Sequence, residues 1–421
     1  MKVDKRIFLF LQGHPSSFPR LLADELESRG HCALRINLCV GDELCWLGRD
    51  AVNYRGFASN WRGFLSDFID HERVSDILYY GDRKPYHIVA GDLARERNIN
   101  AFVYEFGYLR PDWLTIERYG MSAYSHFPKD PDLIGRIAAN FKKPDMQRRY
   151  AHSKNREIFH EVSYNLMTFF TPFLYPFYNA DRYYNLLLDY ISGIPGLFLE
   201  SRNDRHAQEL INRLVRTKKQ PFFLFPLQLQ NDYQLRANAP FNHQSEAIEL
   251  AIQSFTQNAS PEAQLIFKQH PLDNGWEGWS GIVEKISRKY DVSERVHVII
   301  GGDLDLLLKK TIGCVMINST VGMHAIFAGS PVKVLGTALY DIAGLCHQGT
   351  LDEFWETHSK PDPELAEAFQ RALAGTIQVK GNFFTKEGQA VAIPRMADML
   401  IDGSINGAGA FIDPPPRLVA S

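Results

Sequence analysis

Three strand-like segments in the C-terminal half of this 421-residue chain end in side chains that could do chemistry on a phosphate. The first ends in an amide and a carboxylate, the second in an amine and an imidazole, and the third in an amide and two hydroxyls. Imidazole and hydroxyl groups can hold phosphate oxygens, and a nearby carboxylate can attack the carbon that the phosphate leaves. We therefore predict a nucleotide-phosphate site with a catalytic carboxylate, built from Gln228, Asp232, Lys268, His270, Asn318, Ser319 and Thr320.

Each of these residues also has a purely structural interpretation. The functional interpretation depends on all three segments reaching the same edge of one sheet. The alternatives stay open at this point: N-caps for Ser319 and Thr320, a cap or turn residue for Asp232, a structural histidine for His270, a surface lysine for Lys268 and a core amide for Gln228.

The elements that must position these residues alternate between strand-like and helix-like segments. In the second half, helices are predicted at 243–257, 277–290, 303–310 and 320–328, with apolar strands between them. The first third repeats this order, from "RIFLFLQG" through "PYHIVAGDLARERN" to "AFVYEFG". Such alternation predicts parallel sheets covered by helices, with ligands beyond the carboxyl ends of the strands. At the helix after Thr320, the free backbone N–H groups favour an anion, and Gly322 would let a ligand approach the backbone.

The fold class that follows is α/β, with two Rossmann-like lobes facing a cleft. We expect an N-terminal α/β lobe at 1–130 and a C-terminal α/β lobe at 206–385. Between them, 131–205 is basic and aromatic and is predicted to be helical, with its prolines bending it. Residues 386–421 are expected to form a C-terminal helix and a mobile tail.

Composition excludes several classes of protein. A net charge of −3 argues against a general nucleic-acid binder, and five cysteines without a C-x-x-C pair fit free thiols in a reducing cytoplasm. No signal peptide is visible, and the most membrane-like stretch, 165–178, is too short and contains Pro172 and Pro176. "FLQGHPSSF" lacks the dinucleotide fingerprint and no P-loop is present, so a transferase that needs no metal or cofactor is favoured.

Several longer motifs resemble the bacterial capsule polysaccharide biosynthesis/export family. They are "QLQNDYQLR", "KQHPLDNG", "INSTVGMHAI" and "KVLGTALYDIAGLCHQGTLDEFW" in the second half, and "GDRKPYH", "YEFGYLRPDWLTIERYG" and "SAYSHFPKDPD" in the first. The resemblance runs from about Phe10 to Pro363. Two departures stand out: Phe106 replaces a second glutamate of the family pattern, and His14 lies where a proline is common.

The resemblance implies a GT-B type, retaining β-Kdo transferase that uses CMP-Kdo as donor. Retention implies two displacements, with Asp232 as nucleophile, although a front-face reaction in which Asp232 only stabilises charge stays open. His270 would contact or protonate the leaving phosphate, Ser319 and Thr320 would hold it, and Gln228 would orient the sugar. Lys268 and Asn318 complete the predicted donor site.

For the acceptor, the resemblance implies (lyso)phosphatidylglycerol, bound at strand ends of the first lobe. Glu105 is the candidate base, or else an ion-pair partner of Arg110. The expected acceptor contacts are Asp82, Arg83, His87, Tyr108 and Arg110.

The family further implies partners among capsule assembly proteins and peripheral association with the inner face of the inner membrane. The basic and aromatic segment 131–205 would contact the bilayer or else pack between the lobes. The alternative functions are a transferase with another CMP-keto-sugar or a glycan acceptor, and a non-catalytic component of capsule export.

Overall fold

The computed structural model describes residues 5–150, 153–217 and 220–418, which form two compact units. Unit 1 comprises residues 1–128, 136–181 and 370–421, and unit 2 comprises 129–135 and 182–369. Each unit has its own sheet and its own apolar core.

Unit 1 is built on a seven-stranded sheet with the order β12-β6-β5-β4-β1-β2-β3. Five neighbouring strands, β5, β4, β1, β2 and β3, are parallel. Strand β6 pairs antiparallel with both β5 and β12. Short apolar runs supply the strands, and their side chains pack beneath the helices in the unit 1 core. The strands are β1 (Ile7–Phe10), β2 (Cys32–Asn37), β3 (Val52–Asn53), β4 (Asp76–Tyr80), β5 (Asn100–Phe106), β6 (Trp113–Arg118) and β12 (Gln378–Lys380).

Unit 2 contains a five-stranded, fully parallel sheet with the order β11-β10-β7-β8-β9. The central strands β7 and β8 are buried at every position, as expected for a sheet covered by helices on both faces. The strands are β7 (Phe222–Pro226), β8 (Gln264–Lys268), β9 (Val296–Ile299), β10 (Gly313–Met316) and β11 (Val332–Val334).

Helices connect the strands and cover the sheets. Those beginning in the first 181 residues are α1 (Phe18–Ser28), α2 (Val40–Cys45), α3 (Trp61–Glu72), α4 (Pro85–Arg97), α5 (Pro131–Ala138) and α6 (Lys154–Phe170). The others are α7 (Leu186–Ile211), α8 (Tyr233–Asn238), α9 (Gln244–Asn258), α10 (Trp279–Lys289), α11 (Leu304–Lys310), α12 (Val321–Phe327), α13 (Leu351–Glu356), α14 (Pro363–Thr376) and α15 (Lys386–Asp402). The α/β class with two Rossmann-like lobes is confirmed.

The chain divides between the units differently from the predicted boundaries. The predicted middle segment 131–205 is split, since α6 belongs to unit 1 and α7 to unit 2. Residues 370–421 return to unit 1, where β12 extends its sheet and α15 packs on α1. Pro172 begins a short 3-10 helix, Pro172–Leu174, between α6 and α7, and Pro176 follows it.

The predicted mobile tail needs correction for its described part. The amide oxygen of Asn406 accepts a hydrogen bond from the Arg118 N–H at 2.9 Å. The buried guanidinium of Arg417 donates to the carbonyls of Phe127 and Pro128. These contacts hold the chain after α15 against unit 1.

No helix in the described ranges is both long enough and apolar enough to cross a membrane.

Candidate active site

The order of the strands in unit 2 marks one place where a ligand is expected. The chain runs from β7 outward through β8 to β9, and then crosses to the other side of β7 to form β10 and β11. The switch point therefore lies between the carboxyl ends of β7 and β10, where open α/β sheets bind their ligands. The predicted segments follow β10, β7 and β8, three adjacent parallel strands. They lie at one edge of the sheet, as the sequence indicated.

A pair of amides joins the two strands at the switch point. Gln228 Nε2 donates to Asn318 Oδ1 at 2.9 Å, and the Asn318 N–H donates back to Gln228 Oε1 at 3.2 Å. The Asn318 amide also donates to the carbonyl of Gln234 in α8 at 3.0 Å. Gln228 is buried, with 7% of its surface exposed. The structural alternative for Gln228 thus holds, and its role is to fix Asn318 and α8 relative to each other.

Asp232 is the exposed N-cap of α8. Its Oδ1 accepts a hydrogen bond from the Gln234 N–H at 2.8 Å. The cap fixes the carboxylate against the helix that Asn318 also contacts. The capping alternative is therefore present in the structure, and it is compatible with chemistry because an exposed carboxylate oxygen has several lone pairs.

The hydroxyls after β10 differ in their contacts. Ser319 Oγ accepts a hydrogen bond from the Val321 N–H at 3.3 Å. Thr320 is the N-cap residue of α12 by position, but its side chain makes no capping hydrogen bond. The capping interpretation therefore does not account for the Thr320 hydroxyl, and its phosphate contact stays a prediction.

The expectation for Gly322 needs correction. A Cβ atom at this position would lie 2.3 Å from Cζ and Oη of Tyr340, so the space beside the glycine is already filled by that ring. Tyr340 is buried, and its hydroxyl donates to the carbonyl of Ser319. Gly322 thus allows Tyr340 to brace the turn before α12, and it does not make room for a ligand.

We expect Gly322→Ala to destabilise the protein by about 1–3 kcal/mol, because a methyl group forced against a buried ring costs this much. Gly281→Ala on α10 is the matched control, because no atom lies within 4 Å of its added Cβ, and it should stabilise by up to about 1 kcal/mol. Urea unfolding measures both changes. A Gly322→Ala protein of normal stability that no longer binds CMP would restore the ligand-approach interpretation.

Lys268 is buried, with 6% of its surface exposed, and so it is not a surface lysine. Its Nζ donates to the carbonyl of Gly301 at 2.7 Å, in the loop after β9. Burial lowers the pKa of Lys268, and the negative charge of Asp204 partly opposes this shift. The described contact directs the ammonium to the β9 side of the sheet, away from the β7/β10 switch point. One hydrogen bond leaves two N–H groups of the ammonium, so a phosphate contact of Lys268 stays a prediction.

His270 follows β8, and its described hydrogen bond defines its tautomer. The backbone N–H of Leu272 donates to His270 Nδ1 at 3.1 Å, so Nδ1 carries no proton in this geometry. The neutral ring then carries its proton on Nε2. Protonating Nδ1 would place two N–H groups face to face and break this contact. His270 is therefore arranged to donate a hydrogen bond from Nε2, and of the two predicted roles the geometry favours contact with a phosphate.

Three predicted acceptor residues of unit 1 lie in buried contacts. Asp82 accepts a hydrogen bond from the Met121 N–H at 3.0 Å, and burial raises its pKa. His87 Nδ1 donates to the Gly81 carbonyl at 2.7 Å, and burial, followed by the charge of Lys84, holds its pKa well below the usual value. The hydroxyl of Tyr108, also buried, donates to Glu117. These contacts indicate structural roles for Asp82, His87 and Tyr108.

Glu117, on β6, is the centre of the buried network that includes Tyr108. Its Oε1 accepts from the Tyr108 hydroxyl at 2.9 Å and its Oε2 accepts from the Ser125 hydroxyl. The Tyr108 hydroxyl in turn accepts from the Ser122 N–H at 2.8 Å. Burial raises the pKa of Glu117 to about 7. The family-like motifs around residues 104–125 thus meet in one buried polar cluster.

Glu117 should make the stability of the protein depend on pH. Between about pH 4.5 and 7 the folded state holds a proton that the unfolded state has released, so the stabilisation is present at low pH and lost as the pH rises through 7. The free energy of unfolding of wild type relative to Glu117→Gln should fall by roughly 3 kcal/mol over this window. Urea unfolding at pH 4.5 and 8 measures it, with the exposed Glu387→Gln as control. Parallel pH profiles for wild type and Glu117→Gln would contradict this assignment.

The other predicted acceptor residues keep open roles. Arg83 lies over the ring of Tyr124, with its Cζ 3.6 Å from the ring centroid. Arg110 donates to the Gly107 carbonyl at 3.4 Å and lies over Phe106. Glu105 is half-buried near the carboxyl end of β5, and its negative charge raises the pKa of Tyr80 further, after burial. Acceptor contacts at these three residues stay predictions.

The two departures from the family pattern are neighbours in the structure. The rings of His14 and Phe106 lie 5.3 Å apart, edge to face. His14 is buried and stacks on Phe383, with 4.1 Å between the ring centroids. An aromatic cluster thus occupies the end of β5 at the position of the missing glutamate.

The sequence analysis missed two residues at the switch point of unit 1, which lies between β1 and β4. Gln12 follows β1 and Lys84 follows β4, and Lys84 Nζ donates to Gln12 Oε1 at 3.2 Å. Gln12 lies in "FLQGHPSSF" and Lys84 in "GDRKPYH", and neither stretch matches a nucleotide fingerprint. The useful signal was position: each lies a few residues beyond the carboxyl end of a strand next to the switch point.

Comparison with known proteins adds the following similarities. A family model described as capsule polysaccharide biosynthesis protein matches residues 75–384. The chain is 30% identical over 381 residues to the capsule polysaccharide export protein KpsS of Escherichia coli, covering 90% of this chain and 96% of that one. It is 30% identical over 398 residues to the capsule polysaccharide modification protein LipB of Neisseria meningitidis serogroup B, covering 90% and 91%. The solved structure of Thermosulfurimonas dismutans KpsC, beta Kdo 2,7 transferase, aligns with a TM-score of 0.43 and 13% identity over 94% of this chain and 99% of that one.

Proposed function

Because the chain belongs to the capsule polysaccharide biosynthesis family, we propose that it is a retaining glycosyltransferase that moves Kdo from CMP-Kdo to a (lyso)phosphatidylglycerol acceptor. The observation that carries this proposal is that Asp232, His270 and Thr320 follow three adjacent parallel strands, β7, β8 and β10, at one edge of the unit 2 sheet. The donor and the acceptor come from the motif resemblance described above.

In the proposed reaction, Asp232 attacks the anomeric carbon of Kdo, and the bond from that carbon to the phosphate oxygen of CMP breaks. His270 donates an Nε2–H hydrogen bond to the departing phosphate, whose charge grows as the bond breaks. Ser319 and Thr320 would hold the same phosphate. An acceptor hydroxyl then attacks the same carbon and releases Asp232. The proton of the acceptor hydroxyl passes to a base, for which Glu105 stays the candidate.

We further propose that the protein works at the inner face of the inner membrane, together with capsule assembly proteins. This location is supported by the apolar side chains that α6 and the following turn expose. Phe159, Phe170 and Phe173 are 67%, 62% and 73% exposed. Exposed aromatic side chains on a helical segment fit the interfacial region of a bilayer.

The proposed activity is tested by CMP binding and CMP release. CMP at 100 times its dissociation constant should stabilise the protein by about 2.7 kcal/mol, and adding lysophosphatidylglycerol to enzyme and CMP-Kdo should release CMP. Release with a glycan but not with a lipid would favour a transferase that modifies polysaccharide. Neither stabilisation nor release with any acceptor would favour the third alternative, a non-catalytic export component.

A further inference from the structure

The switch point of unit 1 holds a lysine without a carboxylate partner among the described residues. Lys84 Nζ donates to Gln12 Oε1 at 3.2 Å and lies 5.5 Å from the centroid of the Tyr80 ring. No ion pair of Lys84 occurs within 5–150, 153–217 and 220–418. An ammonium group has three N–H donors, and one described hydrogen bond leaves capacity for an anionic oxygen.

The surroundings of Lys84 make an unneutralised cation costly. Burial lowers its pKa, whereas the negative charges of Asp42 and Glu105 act in the opposite direction from a distance. Arg35 adds a repulsive positive charge, although it is itself paired with Asp42 at 3.1 Å. A ligand with a negative charge would restore the balance at this point of the sheet.

Gln12 is fixed so that its carbonyl oxygen faces Lys84. Its Nε2 donates to the hydroxyl of Tyr164 at 2.6 Å and to that of Tyr178 at 2.9 Å. The Tyr164 hydroxyl donates in turn to Asp42 Oδ1 at 3.0 Å. These bonds set the orientation of the amide, and the amide sets the position of the ammonium.

The two tyrosines that fix Gln12 belong to a segment whose outer side is apolar. Tyr164 is on α6 and Tyr178 is eight residues beyond its end. The same stretch exposes Phe170, Phe173 and Phe177, which are 62%, 73% and 42% exposed. Lys84 is therefore linked through Gln12 to the segment that exposes this apolar surface.

We infer that Lys84 binds the phosphodiester of an anionic, amphiphilic acceptor, whose apolar part lies along the surface of Phe170, Phe173 and Phe177. This inference rests on the proposed function and specifies the acceptor half of it. Lys84 is then the residue that distinguishes an anionic head group from a zwitterionic one, and Gln12 positions its ammonium. A lipid head group, a soluble head group and free phosphate all offer a negatively charged phosphate to Lys84. The test therefore measures each of them separately.

The test compares binding of lysophosphatidylglycerol, lysophosphatidylcholine, glycerophosphoglycerol and inorganic phosphate. Lys84→Met should weaken lysophosphatidylglycerol binding at least tenfold and lysophosphatidylcholine binding less, because the choline cation offsets the charge of its phosphodiester, and the preference for the anionic lipid should fall. Lys84→Arg should stay within about threefold of wild type, as should Lys386→Met, which removes an exposed lysine of α15. Lysophosphatidylglycerol binding by Lys84→Met at the wild-type level overturns the inference.

A double variant tests the proposed contact between the apolar part of the acceptor and the exposed phenylalanines. Phe170→Ser/Phe173→Ser changes only exposed side chains and should weaken lysophosphatidylglycerol binding at least tenfold while glycerophosphoglycerol binding is unchanged. If glycerophosphoglycerol or inorganic phosphate binds wild type as tightly as lysophosphatidylglycerol does, the site binds a soluble phosphate. The inference that its ligand is amphiphilic is then overturned.

CMP distinguishes failure of this inference from failure of the proposed function. Stabilisation by CMP is assigned to unit 2 and should be the same in Lys84→Met and wild type, which also shows that the variant is folded. CMP release by Lys84→Met with a wild-type KM for the lipid would overturn the role of Lys84 and leave the transferase. Lipid binding that depends on Lys84, in a protein that neither binds nor releases CMP, would support this site and refute the transferase.

Discussion

Asp232→Asn should reduce CMP release by roughly 10⁴-fold or more, while the protein stays as stable as wild type and still binds CMP. The loss is expected because an amide cannot attack the anomeric carbon, and removing a nucleophile has effects of this size. Stability should hold because asparagine caps a helix about as well as aspartate does. Asp232 caps α8 through the Gln234 N–H, so the isosteric change separates the chemical role from the structural one.

Two further variants complete this experiment. Asp303 caps α11 in the same manner, accepting from the Leu306 N–H at 3.0 Å, and Asp303→Asn should leave both activity and stability unchanged. Asp232→Ala should lose activity and, in addition, about 1 kcal/mol of stability with the cap. The rate is measured as CMP release with lysophosphatidylglycerol, and stability by urea unfolding. An Asp232→Asn protein that works within tenfold of wild type would show that the carboxylate is only a cap.

His270→Ala should lower kcat by about 10²–10³-fold, the usual cost of removing one donor to a developing charge. His270→Gln should recover about tenfold of this loss, because a glutamine amide can place an N–H near the position of Nε2. His270→Asn should not recover it, because its shorter side chain reaches only as far as Nδ1. Nδ1 accepts from the Leu272 N–H, and an Nε2–H that only donates to the phosphate predicts no fall in wild-type kcat as the imidazole loses a proton.

The pH profile and the glutamine variant separate the two roles considered for His270. A kcat that falls as the imidazole loses its proton, together with a glutamine variant no better than alanine, would identify a general acid. The comparison is valid only if all variants bind CMP, which thermal unfolding with and without CMP establishes.

The arrangement of the motifs of unit 2 was predictable because it depends on a repeated local unit. Every strand-to-helix crossover in unit 2 returns the chain to the same edge of a parallel sheet, so His270 and Ser319 had to reach the edge that Asp232 occupies. The strand register even aligns Gln228 with Asn318 across 90 residues, since Cys314 pairs with Leu224. The apolar periodicity of the sequence was sufficient to predict that these residues reach the same edge of the sheet.

The roles of single polar residues were less predictable because they depend on contacts distant in sequence. Lys268 ends an apolar strand, and only the loop after β9 supplies the Gly301 carbonyl that accepts from it. Tyr108 resembles an acceptor ligand in its motif, yet it is buried because β6 folds back on β5 and brings Glu117 to its hydroxyl. Gly322 needed the position of Tyr340 to be understood.

The same reason explains the strands that local patterns did not indicate. β12 pairs with β6 although more than 250 residues separate them. A three-residue strand at Gln378–Lys380 has no periodicity to recognise, and its place in the sheet is set by the return of the chain to unit 1. The predicted domain boundaries differ from the two units for the same reason, because the chain returns to unit 1 at residues 136 and 370 through contacts distant in sequence.

The most direct test of the account is the intact mass of the protein after incubation with freshly generated CMP-Kdo and no acceptor. We expect wild type to gain the mass of one Kdo residue, Asp232→Asn to gain none, and lysophosphatidylglycerol to discharge the adduct. A wild-type protein that releases CMP on addition of lysophosphatidylglycerol, but never gains this mass in its absence, would contradict the central claim that Asp232 is the nucleophile of a two-step transfer.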